Sequence, residues 1–381
     1  MAFSDSKPHY EILDGLRGVA ALLVLFYHIA EGYSFAYGTP IIEGINHGYL
    51  AVDFFFILSG FVLGYAYDDR WKKGFTLKEF FRRRLIRLHP MVILGAIIGA
   101  TSFILGGCLQ WDGTHIAISS VMLSLLMAMF MIPAVPGCSY EVRGNGEMFP
   151  LNGPSWSLFF EYIGNILYAL FIRRLSTRAL AVLTVILGAG LAGCTLADVS
   201  GGDAFGLGWT LDWLNFGGGL LRMLFPFTLG MLISRKFRPV RVRYSFALCS
   251  LVLLSLFIVP YIPKVGGFSL NGLYELVCKF FVFPTLLWLG ASGHVDGRTE
   301  RLCRFLGDLS YPLYMTHYPV MYLFYAHLIR CGKMGITSFG ETWPVALLAV
   351  AVSLALGHLC TALYDKPVRK KLSSLRKNDL G

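Results

Sequence analysis

Eleven apolar segments run through the chain from end to end, and no other feature restricts its fold as strongly. An α-helix needs about 20 predominantly apolar residues to cross the roughly 30 Å hydrocarbon core of a bilayer. The segments are 15–34, 49–67, 90–107, 115–133, 155–172, 179–197, 215–234, 244–263, 273–291, 309–330 and 343–364. Because backbone groups in lipid must be hydrogen-bonded within the spanning element, this pattern predicts an all-α, polytopic membrane helix bundle.

Composition supports the same class. Charged residues make up 15% of the chain and hydrophobic residues 55%, whereas a soluble domain carries about 25% charged residues. The first ten residues are polar and no small-residue cleavage site follows the first apolar run, so we expect an uncleaved first spanning helix. We expect one membrane domain over 1–381, with 1–12 and 365–381 as cytoplasmic flanking segments.

Basic residues cluster beside the apolar segments. The formal net charge is +10, and the basic regions are 68–89, 173–178, 235–243, 292–306 and 365–381. The positive-inside rule explains this clustering better than nucleic-acid binding does. The predicted partner is therefore a lipid bilayer, and no nucleic acid is expected.

The basic regions also predict the topology. Three apolar segments separate the first two regions, so one of the three must not cross if both regions are cytoplasmic. We assign this role to 115–133, rather than 90–107, because it ends at Pro133 and Pro136. About ten transmembrane helices result, with both termini cytoplasmic and a re-entrant or interfacial segment inside an outer loop, 108–154. The expected location is the plasma (inner) membrane.

Arg17 and His28 share one face of the first apolar segment. Their offset is close to three helical turns, so they point the same way to within about 20° and lie roughly 16 Å apart along the axis. An ionisable group near the bilayer centre costs on the order of 3 kcal/mol. His28 therefore needs a functional or structural reason to be there.

Three further ionisable residues, Asp53, Glu161 and His317, fall at middle-to-outer depth in this topology. Such groups face the bundle interior and pair with each other. A carboxylate beside an imidazole fixes its tautomer and raises its basicity, which suits a general base. We expect His28 to be that base, with Asp53 or Glu161 orienting either His28 or the acceptor, although each of these residues could instead tie neighbouring helices together.

Two further groups have open interpretations. The run from Arg82 to Arg87 is a topology signal or a phosphate site, since guanidinium matches phosphate oxygens. Trp156 and Ser157 line a cavity mouth or belong to an interfacial aromatic belt. The eight cysteines have no metal-ligand spacing, so neither a metal site nor a disulfide is expected.

Five motifs in order resemble the acyltransferase-3 family of membrane-bound acyltransferases, over about residues 9–367. They are Leu13–Gly18 followed by His28, Val52–Phe61, Arg82–Arg87 followed by Pro90, Trp156–Leu158 with Glu161 and Tyr162, and Ser310–Tyr314 with His317. Any one of these motifs alone is weak, whereas all five in order are highly specific.

The resemblance implies transfer of an acyl group, with acetyl expected, from cytoplasmic acyl-CoA to a hydroxyl. The implied acceptor is a sugar in a surface glycan or its precursor, or a small molecule such as a macrolide. Acyl-CoA is then a substrate, and no bound cofactor is expected. The expected catalytic residues are His28, Arg17, Asp53 and Glu161. The expected substrate-binding residues are Arg82, Arg84, Arg87, Trp156, Ser157, Tyr314 and His317.

The chain departs from the family pattern at two positions. Tyr162 follows Glu161 where a second acidic residue is common, and Asp365 stands where a glutamate is common. The short stretch after the last apolar segment leads us to expect no secreted hydrolase-like domain. All chemistry is then assigned to the membrane domain.

Two alternatives remain open. A covalent acyl-histidine could replace direct transfer, because imidazole can act as a nucleophile. A proton-coupled transporter would also use ionisable residues inside the membrane, but the sequence shows no internal repeat. A purely structural scaffold would leave the register of Arg17 and His28 unexplained.

Overall fold

The computed structural model describes residues 9–38 and 47–378, with side chains up to residue 375. Parts of the expected segments 1–12 and 365–381 lie outside the described residues. The described helices are α1 Glu11–Tyr37, α2 Ala51–Trp71, α3 Leu77–Leu105, α4 Ile118–Met129, α5 Ser155–Leu170, α6 Thr177–Leu196, α7 Trp213–Lys236, α8 Ser245–Phe257, α9 Leu270–Val277, α10 Phe283–Ser292, α11 Gly297–Lys333, α12 Phe339–Cys360 and α13 Lys366–Asn378. The described chain contains isolated β-bridges but no named strand, which confirms the all-α class.

Eight helical spans within the described residues are long and apolar enough to cross a membrane. Helix α11 has 37 residues but is charged in its first turns. The remaining apolar helices, α4 and α8, are shorter, with 12 and 13 residues. The expectation of a multi-pass membrane helix bundle is therefore confirmed.

Helices α1 and α11 pack closely and run in the same direction. Gly15 faces Cys303, Gly18 faces Leu306 and Gly32 faces Tyr325, so residue numbers rise together along both helices. A Cβ atom at Gly18 would collide with the backbone of Leu306. Small residues let two helices approach to backbone contact, and this contact brings the two histidine-bearing faces together.

The chain enters helix α4 and returns from it at the same end of the bundle. Before it, Ile116 N donates to Cys108 O at 2.8 Å, and after it Ala134 N donates to Met148 O at 2.7 Å. Between these points, the Met129 backbone comes within hydrogen-bonding contact of His89 on α3. Its 12 residues rise about 18 Å, which is short of the roughly 30 Å hydrocarbon core.

Helix α8 connects opposite ends of the bundle. Its first turn lies at the beginning of α1, where Phe246 contacts Gly15. Just beyond its last turn, Val259 O accepts a hydrogen bond from Nδ1 of His47, next to the beginning of α2. The segment 244–263 therefore passes along α1 from its first turns to about the level of Tyr27, which faces Gly48, although only 13 residues are helical.

Candidate active site

His28 lies beside a carboxylate on its own helix. Its Nδ1 atom is 2.7 Å from Oε2 of Glu31, one turn further along α1. Tyr325 on α11 donates to the same Glu31 oxygen at 2.9 Å and to His28 O at 2.7 Å. Because a carboxylate only accepts hydrogen bonds, Nδ1 of His28 carries the proton and Nε2 is left as an acceptor. The side chains of His28 and Glu31 are 15% and 30% exposed, so neither is fully enclosed by neighbouring side chains.

A second histidine stacks on His28. The His317 ring lies 5.3 Å from the His28 ring, with an interplanar angle of 29°. Its Nδ1 donates to Leu313 O and Tyr314 O, both at 3.0 Å. Its Nε2 is buried and has no hydrogen-bond partner among the described residues. The two imidazoles therefore form one cluster, in which the orphaned Nε2 atom can accept a hydrogen bond from a ligand.

Tyrosines surround the histidine cluster. Tyr318 meets the His28 ring edge-on, with centroids 4.7 Å apart, and Tyr27 lies 5.3 Å from it. Tyr314 lies 6.0 Å from His317 and shares a 2.7 Å hydrogen bond with Ser157 Oγ. The structure thus brings Ser157 and Tyr314, two of the expected substrate-binding residues, to the edge of the cluster.

Arg17 lies nearer the beginning of α1 than His28 does, and most of its contacts are with α11. Its Nε donates to Ser310 Oγ at 2.9 Å and its Nη2 to Gly307 O at 3.4 Å. Asp14 forms an ion pair with it at 3.0 Å. Arg17 and His28 therefore both face α11, as the helical register predicts.

Glu161 pairs with Arg84 rather than with His28. Nη2 of Arg84 lies 2.7 Å from Glu161 Oε1, and Ser59 Oγ donates to the same oxygen at 2.8 Å. Arg84 is buried inside the bundle. Arg84 is therefore separated from Arg82 and Arg87, with its charge neutralised by Glu161, and its predicted role in substrate binding stays a prediction.

Asp53 belongs to a separate buried charge cluster. Its carboxylate forms an ion pair with Arg222 at 2.9 Å and approaches Lys279 at 3.5 Å. Lys279 pairs in turn with Glu275 at 2.6 Å, and Tyr49 donates to Glu275 at 2.7 Å. Buried charges need such compensation. The expectation that Asp53 or Glu161 orients His28 is corrected, because the carboxylate at His28 is Glu31, whereas the expectation that either one orients the acceptor stays a prediction.

Trp156 lies with the buried charge cluster rather than at the histidines. Its ring stands 5.1 Å from the guanidinium of Arg222, a cation–π contact. It also packs edge-on against Phe56 and Phe160. These contacts account for Trp156 as a packing residue, and its predicted role in substrate binding stays a prediction.

A basic groove of about 840 Å³ opens where α3 begins and α13 packs against it. Its lining residues are Tyr67, Lys78, Glu79, Arg82, Arg83, Ile86, Arg87, Lys366, Arg369, Lys370 and Ser373. Helix α3 begins in a capping box in which Glu79 N donates to Thr76 Oγ1 at 3.2 Å and Thr76 N to Glu79 Oε2 at 3.0 Å. This cap fixes the start of α3, so that Arg82 and Arg87 face the groove.

A buried polar cluster lies on the far side of the histidines, in the loop between α4 and α5. The guanidinium of Arg143 sits 3.6 Å above the Tyr322 ring, and the Tyr322 hydroxyl donates to Glu147. Burial raises the pKa of Glu147 above its usual value. Tyr322 in turn packs 4.7 Å from Tyr318, so this loop is connected to His28 through two aromatic rings.

Glu31, Tyr325 and the basic residues of α13 are absent from the sequence-based site. Glu31 had a local signal, since a residue three positions from His28 lies on the same helix face. No local sequence signal pointed to Tyr325 or to the basic residues of α13, because their contacts join segments that are distant in sequence. Within the described residues, no group of three or more His, Cys, Asp or Glu side chains could hold a metal ion.

Comparison with known proteins gives matches that cover from about half to nearly all of the chain. The chain is 27% identical over 398 residues to acyltransferase MdmB of Streptomyces mycarofaciens, covering 96% of this chain and 92% of the relative. It is 24% identical over 390 residues to peptidoglycan O-acetyltransferase OatA of Listeria monocytogenes, covering 96% of this chain and 56% of the relative. Protein 2 in the picA locus of Rhizobium radiobacter is 34% identical over 196 residues, which is 48% of this chain and 96% of the relative.

No solved structure gives a significant match. A profile of the acyltransferase-3 family, described as an acyltransferase domain, matches residues 10–361. This range includes α1 and α11, which carry the histidine cluster, and all five sequence motifs. The chain therefore belongs to the acyltransferase-3 family of membrane-bound acyltransferases and is an O-acyltransferase.

Proposed function

We propose that this enzyme transfers an acyl group from cytoplasmic acyl-CoA to a hydroxyl of a sugar or surface-glycan precursor. The acyl group that we expect is acetyl. His28 is the general base. The observation that carries the proposal is the 2.7 Å contact between His28 Nδ1 and Glu31 Oε2, within a bundle that leaves both side chains partly exposed.

The proposed chemistry is direct transfer. Nε2 of His28 takes the proton from the acceptor hydroxyl while that oxygen attacks the thioester carbonyl. The carbon–sulfur bond then breaks, and the protonated imidazole returns the proton to the departing CoA thiolate. Glu31 stabilises the imidazolium that forms in between, as a carboxylate beside a catalytic histidine does. Atoms and charge balance without a further reactant.

The basic groove supports a cytoplasmic CoA donor. CoA carries a diphosphate and a 3′-phosphate, and arginine binds phosphate oxygens bidentately. Arg82 and Arg87 line the groove, and Arg17, held against α11, lies between this end of the bundle and the histidines. The pantetheine arm would then pass Arg17 on its way to His28.

The acceptor is proposed to approach from the other end. Tyr318 and Tyr322 connect His28 to the loop that contains Arg143 and Glu147. Aromatic faces with nearby charged donors and acceptors suit a polyhydroxylated ligand. The similarity to the Listeria relative, which is named a peptidoglycan O-acetyltransferase, supports a sugar acceptor.

We also propose ten membrane crossings with both termini cytoplasmic. The parallel contact between α1 and α11 supports an odd number of crossings between them. Counting α8 as a crossing and α4 as re-entrant yields that odd number, and their end contacts support this choice. A reporter that works only in the cytoplasm should be active when it is fused at residue 381. Activity at this position of a reporter that works only outside the cytoplasm would overturn this topology.

The test is thiol release from acetyl-CoA by the purified protein, with and without a glycan acceptor. His28→Gln should lower transfer by about 10²- to 10⁴-fold, the usual contribution of a general base. The matched control is His115→Gln, an exposed loop histidine. Transfer that survives in His28→Gln would refute the assignment, and label from acyl-CoA on the acceptor-free protein would favour the covalent acyl-histidine route.

A further inference from the structure

The walls of the basic groove come from two segments almost 300 residues apart. Helix α3 contributes Lys78, Arg82, Arg83 and Arg87, and helix α13 contributes Lys366, Arg369 and Lys370. Glu79 is the acidic residue among the lining side chains. The positive-inside rule explains why each segment is basic. It does not explain why the two segments face each other across one cavity.

Helix α13 is held in place at the groove. Lys366 Nζ bonds Asp308 of α11 at 2.6 Å. Arg369 pairs with Asp365 at 2.6 Å, and Asp365 is 1% exposed. Arg369 is thus tied to a buried carboxylate next to the groove, which fixes its guanidinium instead of leaving it free in solvent.

Another face of α13 carries apolar side chains beside α3. Leu372 and Leu375 share a shallow pocket with Phe81 and Leu85 of α3. Helix α13 is therefore amphipathic: its leucines lie toward α3 and its cations lie toward the groove. Seven cations and one carboxylate line the groove, and lysine and arginine are the side chains that bind phosphate oxygens, so the lining suits an anionic ligand between the two helices.

We propose that α13 supplies half of the binding site for the phosphate groups of the nucleotide part of the donor. The inference rests on the proposed use of acyl-CoA. Arg82 and Arg87 bind the phosphates from one side, and Arg369 and Lys370 bind them from the other. Asp365 is a positioning residue that orients Arg369. A phospholipid headgroup offers the same phosphate chemistry, and the test below separates the two sources.

The test compares two donors in the full-length purified protein. Arg369→Gln/Lys370→Gln should raise the KM for acetyl-CoA by at least about 10-fold. It should leave unchanged the KM for S-acetylpantetheine, which lacks the nucleotide but uses the same thioester. Lys371→Gln is the control on the same helix, because it removes a positive charge that lies outside the groove. Normal turnover of S-acetylpantetheine also shows that the variant is folded.

Equal KM values for acetyl-CoA in the double variant and the wild type would overturn the inference. The inference would also be overturned if the double variant changed this KM only in nanodiscs that contain phosphatidylglycerol and not in nanodiscs of pure phosphatidylcholine, because the groove would then bind lipid. Failure of the wild type to release thiol from either donor would instead refute the proposed function. The two failures are therefore distinguishable.

Discussion

His28 and Glu31 lie one turn apart on helix α1, with Nδ1 and Oε2 separated by 2.7 Å. The proposed base and its carboxylate partner thus come from a single helix, and Tyr325 of α11 closes the group with hydrogen bonds to both. The orientation of His28 therefore depends on the α1–α11 contact, where Gly18 meets Leu306.

Replacing Glu31 by glutamine should reduce acyl transfer by about 10- to 100-fold, as for other residues that orient a functional histidine. Glutamine can still accept a hydrogen bond from Nδ1, but it cannot stabilise an imidazolium by charge. Initial rates of thiol release with acetyl-CoA measure the effect. Glu341→Gln, in the first turn of α12, is the matched control, and wild-type rates in Glu31→Gln would contradict the role.

The Tyr325→Phe variant should lower turnover by about 10-fold, because hydrogen bonds to charged groups contribute about 1.5–3 kcal/mol. The ring and its packing stay, and only the hydroxyl that donates to Glu31 is lost. The KM for the donor should not change, since Tyr325 is remote from the basic groove. A raised KM with normal turnover would show that Tyr325 binds substrate instead.

Asp53→Asn should act on stability rather than on chemistry. Removing one partner of a buried ion pair costs about 3–5 kcal/mol, and Arg222 would lose its carboxylate. The melting temperature in detergent should fall, while turnover per folded molecule stays near that of the wild type. If turnover instead collapses at an unchanged melting temperature, Asp53 takes part in catalysis.

Glu147 should make stability depend on pH. Because burial raises its pKa above the usual 4.5, the folded protein holds this proton to a higher pH than the unfolded chain does. The resulting stabilisation is fully present below about pH 4.5 and is lost as the pH rises through the folded pKa. Melting temperatures across this range should show the loss in the wild type and a flatter curve in Glu147→Gln. Identical slopes for the two proteins would contradict this account.

The amino-acid sequence by itself determines the class and much of the helix placement. Apolar segments of spanning length can bury their backbone polar groups in lipid only as helices, so α1, α2 and α3 follow from local composition. The shared face of Arg17 and His28 follows from helical periodicity alone. Glu31 could have been found in the same way, because its spacing from His28 is also local.

Only the tertiary structure decided which distant charges meet. Depth in the bilayer put Asp53, Glu161 and His317 at comparable levels, but depth carries no information on rotation about each helix axis. Packing turned Asp53 toward Arg222 and Glu161 toward Arg84, while His317 was turned toward His28. The two walls of the basic groove likewise meet through long-range contacts between α3 and α13, which no local pattern encodes.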